Sequence, residues 1–226
     1  MLGRARRRAS AARRRADRAL VAHCGARTRL EVRNAVALTF DDGPDPEHTP
    51  RVLDELQRLE ARATFFLVGE RVRRHPHLAA RIVAEGHAVG SHSESHIEPW
   101  TVPWLTLARE YRGGRRALED AIGCRPIRLF RPPKGYLDGA GALATMLLRL
   151  QPWLWTIDSH DWMPGVGCEA ILDAIGPLRG GEIILLHDGI EGPLDPAALD
   201  RSATVAALAE IVARARAAGL QLMTLG

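Results

Sequence analysis

The fold of this chain follows from one short apolar run that ends in two carboxylates and a turn signal, Ala35-Val36-Ala37-Leu38-Thr39-Phe40-Asp41-Asp42-Gly43-Pro44. An apolar run of this length, closed by Gly and Pro, is typical of a buried β-strand. Downstream, similar runs alternate with amphipathic stretches, which is the pattern of parallel strands joined by crossover helices. The run therefore predicts the first strand of an α/β domain, with Asp41 and Asp42 at its carboxyl end.

Residues 34–226 are long enough to form one α/β barrel domain with a sizeable core. The alternation predicts seven strands, and no repeat of fixed period is visible. The predicted strands are Ala35–Phe40, Ala63–Leu67, His87–Gly90, Ile127–Phe130, Trp153–Ile157, Glu182–His187 and Leu220–Thr224.

The predicted helices carry two sequence signals, one at a helix start and one within a helix. Thr49 is predicted as an N-cap, with Pro50 in the first turn of the helix that follows the first strand. Gly113 and Gly114 are expected to weaken the helix between Leu105 and Ile122 and to favour a kink in it.

A second motif, His92-Ser93-Glu94-Ser95-His96, follows the third predicted strand. Two imidazoles four residues apart can reach one ion, and Asp42 would complete a 2-His-1-carboxylate face that leaves positions open for water and substrate. Asp41 then remains available to accept a proton from a water that the cation activates. Together the two motifs predict a metal-dependent hydrolase.

Other polar motifs also follow the carboxyl ends of predicted strands. Arg131 follows the fourth strand, residues 158–162 follow the fifth, and His187 and Asp188 end the sixth. Because an α/β barrel gathers its active site at the carboxyl ends of its strands, we expect these side chains to meet the metal face.

In their order and spacing these motifs resemble the five motifs of the polysaccharide deacetylases, also called carbohydrate esterase family 4 or the NodB homology domain. The resemblance extends from about residue 34 to the last residue. It implies a distorted (β/α)7 barrel, NodB-like, that removes acetyl groups from N-acetylated sugars such as an oligosaccharide, a glycolipid head group or a sugar conjugate. The motifs that carry it are Thr39-Phe40-Asp41-Asp42-Gly43-Pro44, His92-Ser93-Glu94-Ser95-His96, Arg131-Pro132-Pro133-Lys134-Gly135, Asp158-Ser159-His160-Asp161-Trp162 and Leu185-Leu186-His187-Asp188.

The resemblance also implies a divalent cofactor and the residues that hold it. Asp42, His92 and His96 would be the metal ligands, and Asp41 would be the general base. The expected ion is Zn²⁺, with Co²⁺ or Mn²⁺ as alternatives.

The remaining roles follow from the same resemblance. His187 would be the general acid that protonates the leaving amine, and Asp161 would hold and tune it. Arg131 would orient the general base through charge-assisted hydrogen bonds. Trp162 and Leu185 would form the walls of the pocket for the acetyl methyl group.

The chain departs from the family's Arg-x-Pro-Tyr-Gly motif at Lys134, which is followed by Gly135 and Tyr136. If the family's tyrosine acts through its backbone N–H, that group is retained here, and a Pro-Pro turn fixes its direction for holding an oxyanion. The lysine side chain would place a cation at the mouth of the cleft. We therefore hypothesise a substrate with an anionic group such as a carboxylate or phosphate, against the alternative of a surface lysine of no consequence.

Residues 1–33 form a basic arm whose eleven arginines, against Asp17 and Glu31, carry +9 of charge, whereas the rest of the chain carries −5. The arm lacks the apolar core of a secretory signal, and no later stretch suits a membrane span. We expect the arm to be solvated, with contact to a membrane surface as the alternative. The protein is expected to be a monomer. Its expected partner is an acetylated sugar or oligosaccharide, and nucleic acid is not expected.

The cysteines are Cys24, Cys124 and Cys168, an odd number without a C-x-x-C pair, so neither a disulfide framework nor a thiolate zinc site is predicted. Reduced thiols and the lack of a secretion signal predict a cytoplasmic location.

Other functions remain open at this level. The same attack by water would serve O-acetyl esters or a small acetylated metabolite. A non-haem Fe(II) oxygenase uses the same 2-His-1-carboxylate face, although its usual all-β setting disagrees with the β/α alternation. A third class is a non-catalytic sugar-binding barrel or a nucleic-acid binder, against which the presence of Asp41 and His187 argues.

Overall fold

A computed structural model describes residue 15, residues 17–123 and residues 126–226. The first fourteen residues of the basic arm, and Cys124, lie outside the described residues. The strands are β1 (Ala35–Asp41), β2 (Thr64–Leu67), β3 (Ala88–Ser91), β4 (Leu129–Phe130), β5 (Gln151–Pro152), β6 (Ile157–Asp158), β7 (Ile183–His187) and β8 (Gln221–Leu222). The α-helices that follow β1 are α1 (His48–Arg58), α2 (Gly69–Arg74), α3 (Pro76–Ala84), α4 (Trp104–Ile122), α5 (Gly139–Leu147), α6 (Cys168–Ile175) and α7 (Ser202–Ala217).

The strands form a parallel sheet that curls on itself. Seven of them lie in the order β5-β4-β3-β2-β1-β7-β6, and β8 pairs with the start of β1. Although β5 and β6 lie at opposite ends of this order, only residues 153–156 join them, a link that reaches less than about 20 Å. The two edges of the sheet must therefore approach each other, and the predicted distorted (β/α)7 barrel is confirmed.

The sequence prediction is wrong at the fifth strand. Instead of one strand over Trp153–Ile157, the chain forms the two-residue strands β5 and β6. Between them, Leu154 donates a backbone hydrogen bond of 2.8 Å to the carbonyl of Arg27, while the N–H of Arg27 bonds to Pro152 at 2.9 Å. The N-terminal segment thus takes the pairing that would have extended this strand, and a local apolar run cannot reveal such a partner.

Part of the N-terminal segment packs on the barrel. Residues 17–23 are helical, and Leu30 is buried in a cluster that includes Trp153 and Ile183. The N–H of Leu30 also bonds to the carbonyl of Gly181 at 2.9 Å. Across the described residues, none of the helices has the length and apolarity needed to cross a bilayer.

Successive side chains of β1 point to opposite faces of the sheet, so every second residue faces the site. Val36, Leu38 and Phe40 are fully buried in the large core between the sheet and the helices. The intervening residues point to the opposite face, which is the interior of the barrel. Thr39 and Asp41 therefore share the interior face, directly below the rim where the strands end.

Helix α4 supports the loop of the second motif through its two glycines, and it runs without interruption across them. A Cβ atom at Gly114 would lie 2.1 Å from the backbone oxygen of Ser93, and one at Gly113 would lie 2.7 Å from Oε2 of Glu94. Because glycine has no side chain, the backbone of the loop can rest directly on the helix. The loop that carries His92 and His96 therefore packs directly on the glycine pair of α4.

Candidate active site and metal centre

The carboxyl ends of the strands surround a pocket of about 440 Å³. Nine of the eleven predicted site residues line it, namely Asp41, Asp42, His92, His96, Lys134, Gly135, Trp162, Leu185 and His187. The other two, Arg131 and Asp161, are fully buried and contact lining residues from behind. The structure thus brings all the predicted positions to one place, although they come from five separate stretches of the sequence.

Three of these residues form a buried cluster of metal-ligand type. Oδ1 of Asp42 lies 3.3 Å from Nε2 of His92 and 3.3 Å from Nε2 of His96. The three ligand atoms all lie within 4.8 Å of one another. Oδ1 of Asp42 is buried and has no hydrogen-bond partner among the described residues, which is costly for a carboxylate unless a cation lies against it. The donor set and its geometry therefore fit one divalent ion.

Backbone conformation turns both aspartates of the first motif toward the pocket. If β1 continued, Asp42 would point to the face opposite Asp41. Asp42 instead has φ of 69°, in the left-handed region that non-glycine residues seldom adopt, and the strand ends there. His96, with φ of 53°, ends the second motif in the same way. Such unfavourable conformations persist where the surrounding structure holds them, and they are common at functional sites.

Each histidine of the cluster directs its Nε2 toward Asp42. Nδ1 of His92 lies 2.8 Å from the carbonyl oxygen of Arg131, so this nitrogen donates its hydrogen and leaves Nε2 as the ligand atom. Burial lowers the pKa of His96 to about 3, despite the opposing attraction of Asp42. Burial would raise the pKa of Asp42, but the neighbouring imidazoles of His96 and His92 outweigh it and hold that pKa well below its usual value.

Arg131 fixes the first aspartate from behind. Its Nη1 donates to Oδ1 of Asp41 at 2.7 Å and to Oγ1 of Thr39 at 2.9 Å. Its other nitrogens donate to the carbonyls of Trp153 and Leu154, both at 3.0 Å. One oxygen of Asp41 is thereby held, while Oδ2 faces the metal-ligand cluster, 3.7 Å from Nε2 of His92.

On the opposite side of the pocket, a carboxylate holds His187. Asp161 accepts hydrogen bonds from Nδ1 of His187 at 2.7 Å and from its backbone N–H at 2.8 Å. Thr204 donates to the same carboxylate at 2.8 Å, and Arg201 donates to the carbonyl of Asp161. Burial would lower the pKa of His187, but Asp161 outweighs it and raises that pKa to about 9. The imidazole is therefore protonated at neutral pH, with Nε2 left for the pocket.

The walls of the pocket combine buried and exposed residues. Leu185 and His187 alternate along β7 and so share its interior face. Trp162 is 44% exposed, and its indole N–H donates to Oδ1 of Asp158 at 3.2 Å. Gly135 packs so closely on Trp155 that a Cβ atom would lie 2.4 Å from the indole ring.

One wall was not predicted from the sequence. The loop after β7 lines the pocket with residues 190–195, and the N–H of Glu191 donates to Oδ2 of Asp42 at 3.0 Å. Arg71 holds this loop by donating to Oε2 of Glu191 at 2.7 Å and to the carbonyl of Ile190 at 2.6 Å. The residues of this loop match no motif, and α2 contains two further arginines, Arg73 and Arg74, so the sequence does not single out Arg71.

The predicted N-cap role of Thr49 is wrong. Helix α1 begins at His48, two residues before the predicted first residue Pro50, and Thr49 is buried within its first turn. Its hydroxyl accepts from the N–H of Asp45 at 2.7 Å and donates to Oδ2 of Asp188. Asp188, quoted in the fifth motif without a role, is fully buried against Gly43, and burial raises its pKa to about 7. The hydroxyl thus links the loop after β1 to the end of β7.

The fold and the site together define a hydrolase-type centre: a parallel barrel with a three-ligand metal face between a carboxylate and a protonated imidazole. The family model described as polysaccharide deacetylase matches residues 13–148, which is more than half of the chain. The chain belongs to the polysaccharide deacetylase family.

Individual relatives agree with this assignment. A peptidoglycan-N-acetylglucosamine deacetylase of Bacillus cereus is 38% identical over 193 residues, which cover 84% of this chain and 85% of that protein. A chitooligosaccharide deacetylase of Sinorhizobium fredii is 37% identical over 183 residues, with 79% and 84% covered. Among solved structures, a peptidoglycan N-acetylglucosamine deacetylase in complex with 4-naphthalen-1-yl-N-oxidanyl-benzamide matches with a TM-score of 0.79 and 32% identity, covering 88% of this chain and 90% of that one.

Proposed function

We propose that this chain is a divalent-metal-dependent hydrolase that removes the acetyl group from N-acetylated amino sugars. The observation that carries the proposal is the placement of the Asp42, His92 and His96 cluster between the Asp41–Arg131 pair and the His187–Asp161 pair, all on one pocket. The names of the relatives support the substrate class, and family membership favours a hydrolase over an oxygenase.

The protein's own residues account for the proton transfers of amide hydrolysis. Asp41, held by Arg131 at one oxygen, accepts a proton from the attacking water at its other oxygen. His187, protonated because Asp161 raises its pKa, donates a proton from Nε2 to the amide nitrogen as the carbon–nitrogen bond breaks. The products are acetate and the free amine. Without this protonation, the amine would be a poor leaving group.

Two further contributions complete the proposal. A divalent ion held by Asp42, His92 and His96 would lower the pKa of a water and polarise the acyl carbonyl. The backbone N–H of Lys134 is assigned to the oxyanion, and Leu185 and Trp162 are assigned to the acetyl methyl group.

The native ion is proposed to be Zn²⁺, because two imidazoles and one carboxylate suit its preference for nitrogen and oxygen ligands in an open catalytic site. Co²⁺ and Mn²⁺ are the proposed substitutes. Chelation should abolish acetate release, and titration with each ion should restore it. Elemental analysis of the purified protein would identify the ion that it carries.

The direct test is a screen for acetate release from N-acetylglucosamine oligosaccharides and from their O-acetylated counterparts. Asp41→Asn is the control, because it removes the proposed base and leaves the metal ligands in place. Release from the amide substrates by the original chain and its loss in the variant would support the proposal. Full activity in the variant would contradict the role of Asp41. Acetate release from the O-acetylated substrates alone would mean that the protein hydrolyses acetyl esters rather than acetyl amides.

Three predictions about context remain proposals. They are the cytoplasmic location, the monomeric state and a solvated basic arm, for which contact with a membrane surface is the alternative. Cell fractionation, size-exclusion chromatography with light scattering, and sedimentation with anionic vesicles would test them in turn.

A further inference from the structure

The pocket contains the only lysine of the chain. The sequence has 31 basic residues, of which 30 are arginine, and the single exception is Lys134. This lysine lines the pocket beside Gly135, and its charge is near enough to contribute to the low pKa of His96. Unlike an arginine, a lysine offers a compact point charge on a flexible stem, which suits a single carboxylate or phosphate group.

Lys134 differs from Arg131 and Arg71, the arginines beside the pocket, in having no side-chain partner among the residues that the structure describes. Arg131 is fully buried and bonded to Asp41, and Arg71 is bonded to Glu191. Within the part of the chain that the structure describes, Lys134 takes part in no ion pair or hydrogen bond of its side chain, and it is exposed to the solvent of the cleft. Its charge is therefore available to a ligand.

The acidic groups in the outer part of the pocket do not supply the missing partner. Each of them is already engaged elsewhere: Asp158 accepts from the indole N–H of Trp162, Glu191 accepts from Arg71, and Asp195 accepts from the backbone N–H of Ala197. Among the described residues, none of these carboxylates lies within ion-pair distance of the Lys134 ammonium, which therefore remains available to an anionic group of a ligand.

The backbone at this position is specialised as well. Lys134 has φ of 58°, in the left-handed region that favours glycine, within the turn Pro133–Gly135. Proline on one side, and on the other Gly135 packed against Trp155, hold the turn. The side chain of Lys134 consequently starts from a fixed backbone, which reduces the entropy lost when the ammonium meets a ligand.

An aromatic surface adjoins the same turn. Tyr136 and Trp100 are 41% and 52% exposed, and their rings meet edge to face with centroids 5.2 Å apart. Exposed aromatic rings can pack against the apolar face of a sugar. A glycan that enters the pocket along this side would carry its substituents past Lys134.

From these observations we infer that Lys134 selects substrates whose glycan carries an anionic group, a carboxylate or a phosphate, beside the acetamido group that is hydrolysed. This inference rests on the proposed deacetylase function and specifies its substrate class. Lys134 acts as a specificity-determining residue through its ammonium group.

The test compares three matched probes with the metal-loaded protein: a neutral N-acetylglucosamine trisaccharide, the same trisaccharide with one hydroxymethyl group oxidised to a carboxylate, and its 6-phosphate. The measured quantity is the ratio of kcat/KM for each anionic probe to kcat/KM for the neutral probe. We expect a ratio of about 10 or more for at least one anionic probe, since hydrogen bonds to charged groups are worth roughly this factor. The ratio should decrease as NaCl is raised to 0.5 M, roughly three times physiological ionic strength.

Two variants assign the preference to the ammonium. Lys134→Met, which keeps the length of the side chain without its charge, should bring the ratio close to 1. Lys134→Arg should retain most of the preference. Comparing the carboxylated with the phosphorylated probe then identifies the anionic group. A ratio that Lys134→Met leaves unchanged would overturn the inference.

A second measurement does not depend on turnover. Because the chain has one lysine, acetylation by an amine-reactive reagent can be followed at Lys134 alone by peptide mass spectrometry. In the Asp41→Asn variant, the anionic probes should protect Lys134 from the reagent more than the neutral probe does. Equal protection by all three probes would contradict the inference.

The deacetylase function and the role of Lys134 can be contradicted independently. Acetate release from all three probes at equal rates, with equal protection, would leave the deacetylase standing and remove the role of Lys134. No acetate release with any metal would remove the deacetylase, and selective protection of Lys134 would still show an anion-binding glycan site.

Discussion

The two sides of the barrel differ in how firmly they hold their functional residues. On one side, β1 and β7 are seven and five residues long, and the residues they deliver to the site, Asp41, Asp42 and His187, are buried. On the other side, β4, β5 and β6 are two residues each. The turns that follow β4 and β6 present the exposed residues Lys134 and Trp162, together with the buried residues Arg131 and Asp161, which support Asp41 and His187.

This difference separates chemistry from recognition. Groups that bind a metal or transfer a proton need fixed geometry, and long paired strands with buried hydrogen bonds provide it. Groups that select a substrate can lie on short turns whose sequence varies without disturbing the sheet. We therefore expect substitutions of the buried residues to reduce metal binding or kcat, and substitutions of the exposed residues on the short-strand side to change KM and selectivity.

The largest effects should come from the adjacent aspartates, which form a matched pair on the long-strand side. Asp42→Asn should weaken metal binding by more than about 100-fold, because it removes a direct ligand. Asp41→Asn should keep the metal and reduce kcat by about 10²–10⁴-fold, the usual contribution of a general base. Metal content and kcat measured on both variants check the separation, and loss of metal from Asp41→Asn would refute it.

The next effect concerns the pH dependence set by Asp161. His187 donates a proton, so activity should decrease as the pH rises through its pKa of about 9. Asp161→Asn removes the charge that raises this pKa, and the alkaline limb of the pH–rate profile should move down by about 1–3 pH units. Thr204→Val, which removes only one hydrogen bond to the same carboxylate, should move the limb less. An unchanged limb in Asp161→Asn would exclude His187 as the titrating acid.

An intermediate effect is expected where α4 supports the metal loop. Gly114→Ala places a Cβ atom against the backbone oxygen of Ser93, so the loop must shift and metal affinity should fall by about tenfold. Helix propensity alone would instead favour alanine by about 1 kcal/mol. In the control, Gly113→Ala, the added Cβ atom meets the side chain of Glu94 rather than the backbone of the loop, so metal affinity should change less. Calorimetric titration with Zn²⁺ compares the metal affinities of the two variants. Equal affinities would show that the geometry of the metal loop does not depend on its packing against Gly114.

The smallest effect should come from the short-strand side. Trp162→Ala removes an aromatic wall of the pocket, so KM should rise roughly twofold to tenfold, the range for an aromatic contact of ~0.5–1.5 kcal/mol, while the bound metal is retained. Trp104→Ala is the control, because Trp104 is equally exposed, at 44%, but does not line the pocket. Similar KM values for the two variants would mean that Trp162 is not a binding wall.

The sequence predicted the residues that line the site better than the residues that hold them in place. Asp42, His92 and His96 were recognisable because metal-ligand residue types recur at short, characteristic spacings and follow predicted strands. Arg71 and Thr204 were not recognisable, since each supports the site through contacts with residues far away in the sequence and lies in a stretch of ordinary helix composition.

The fold shows the same division. The long apolar runs that became β1 and β7 were predicted nearly to their ends, because burial on both faces gives a strong local signal. Strands β5 and β6 were misjudged because Arg27, more than a hundred residues away, pairs with the backbone between them. The prediction of Thr49 as an N-cap failed for a related reason, since its hydroxyl bonds to Asp188, which is distant in the sequence, and to the N–H of Asp45 rather than to its own helix.

By itself, the sequence determined the alternation of strands and helices and the identity of the reactive side chains, since periodicity and residue chemistry are local properties. Only the tertiary structure decided which oxygen of Asp41 is held by Arg131, how high the pKa of His187 lies, and that Lys134 has no ion-pair partner among the described residues. These depend on distances and burial between segments far apart in the chain. Electrostatic and hydrogen-bond energies change steeply with those distances, so no local pattern encodes them.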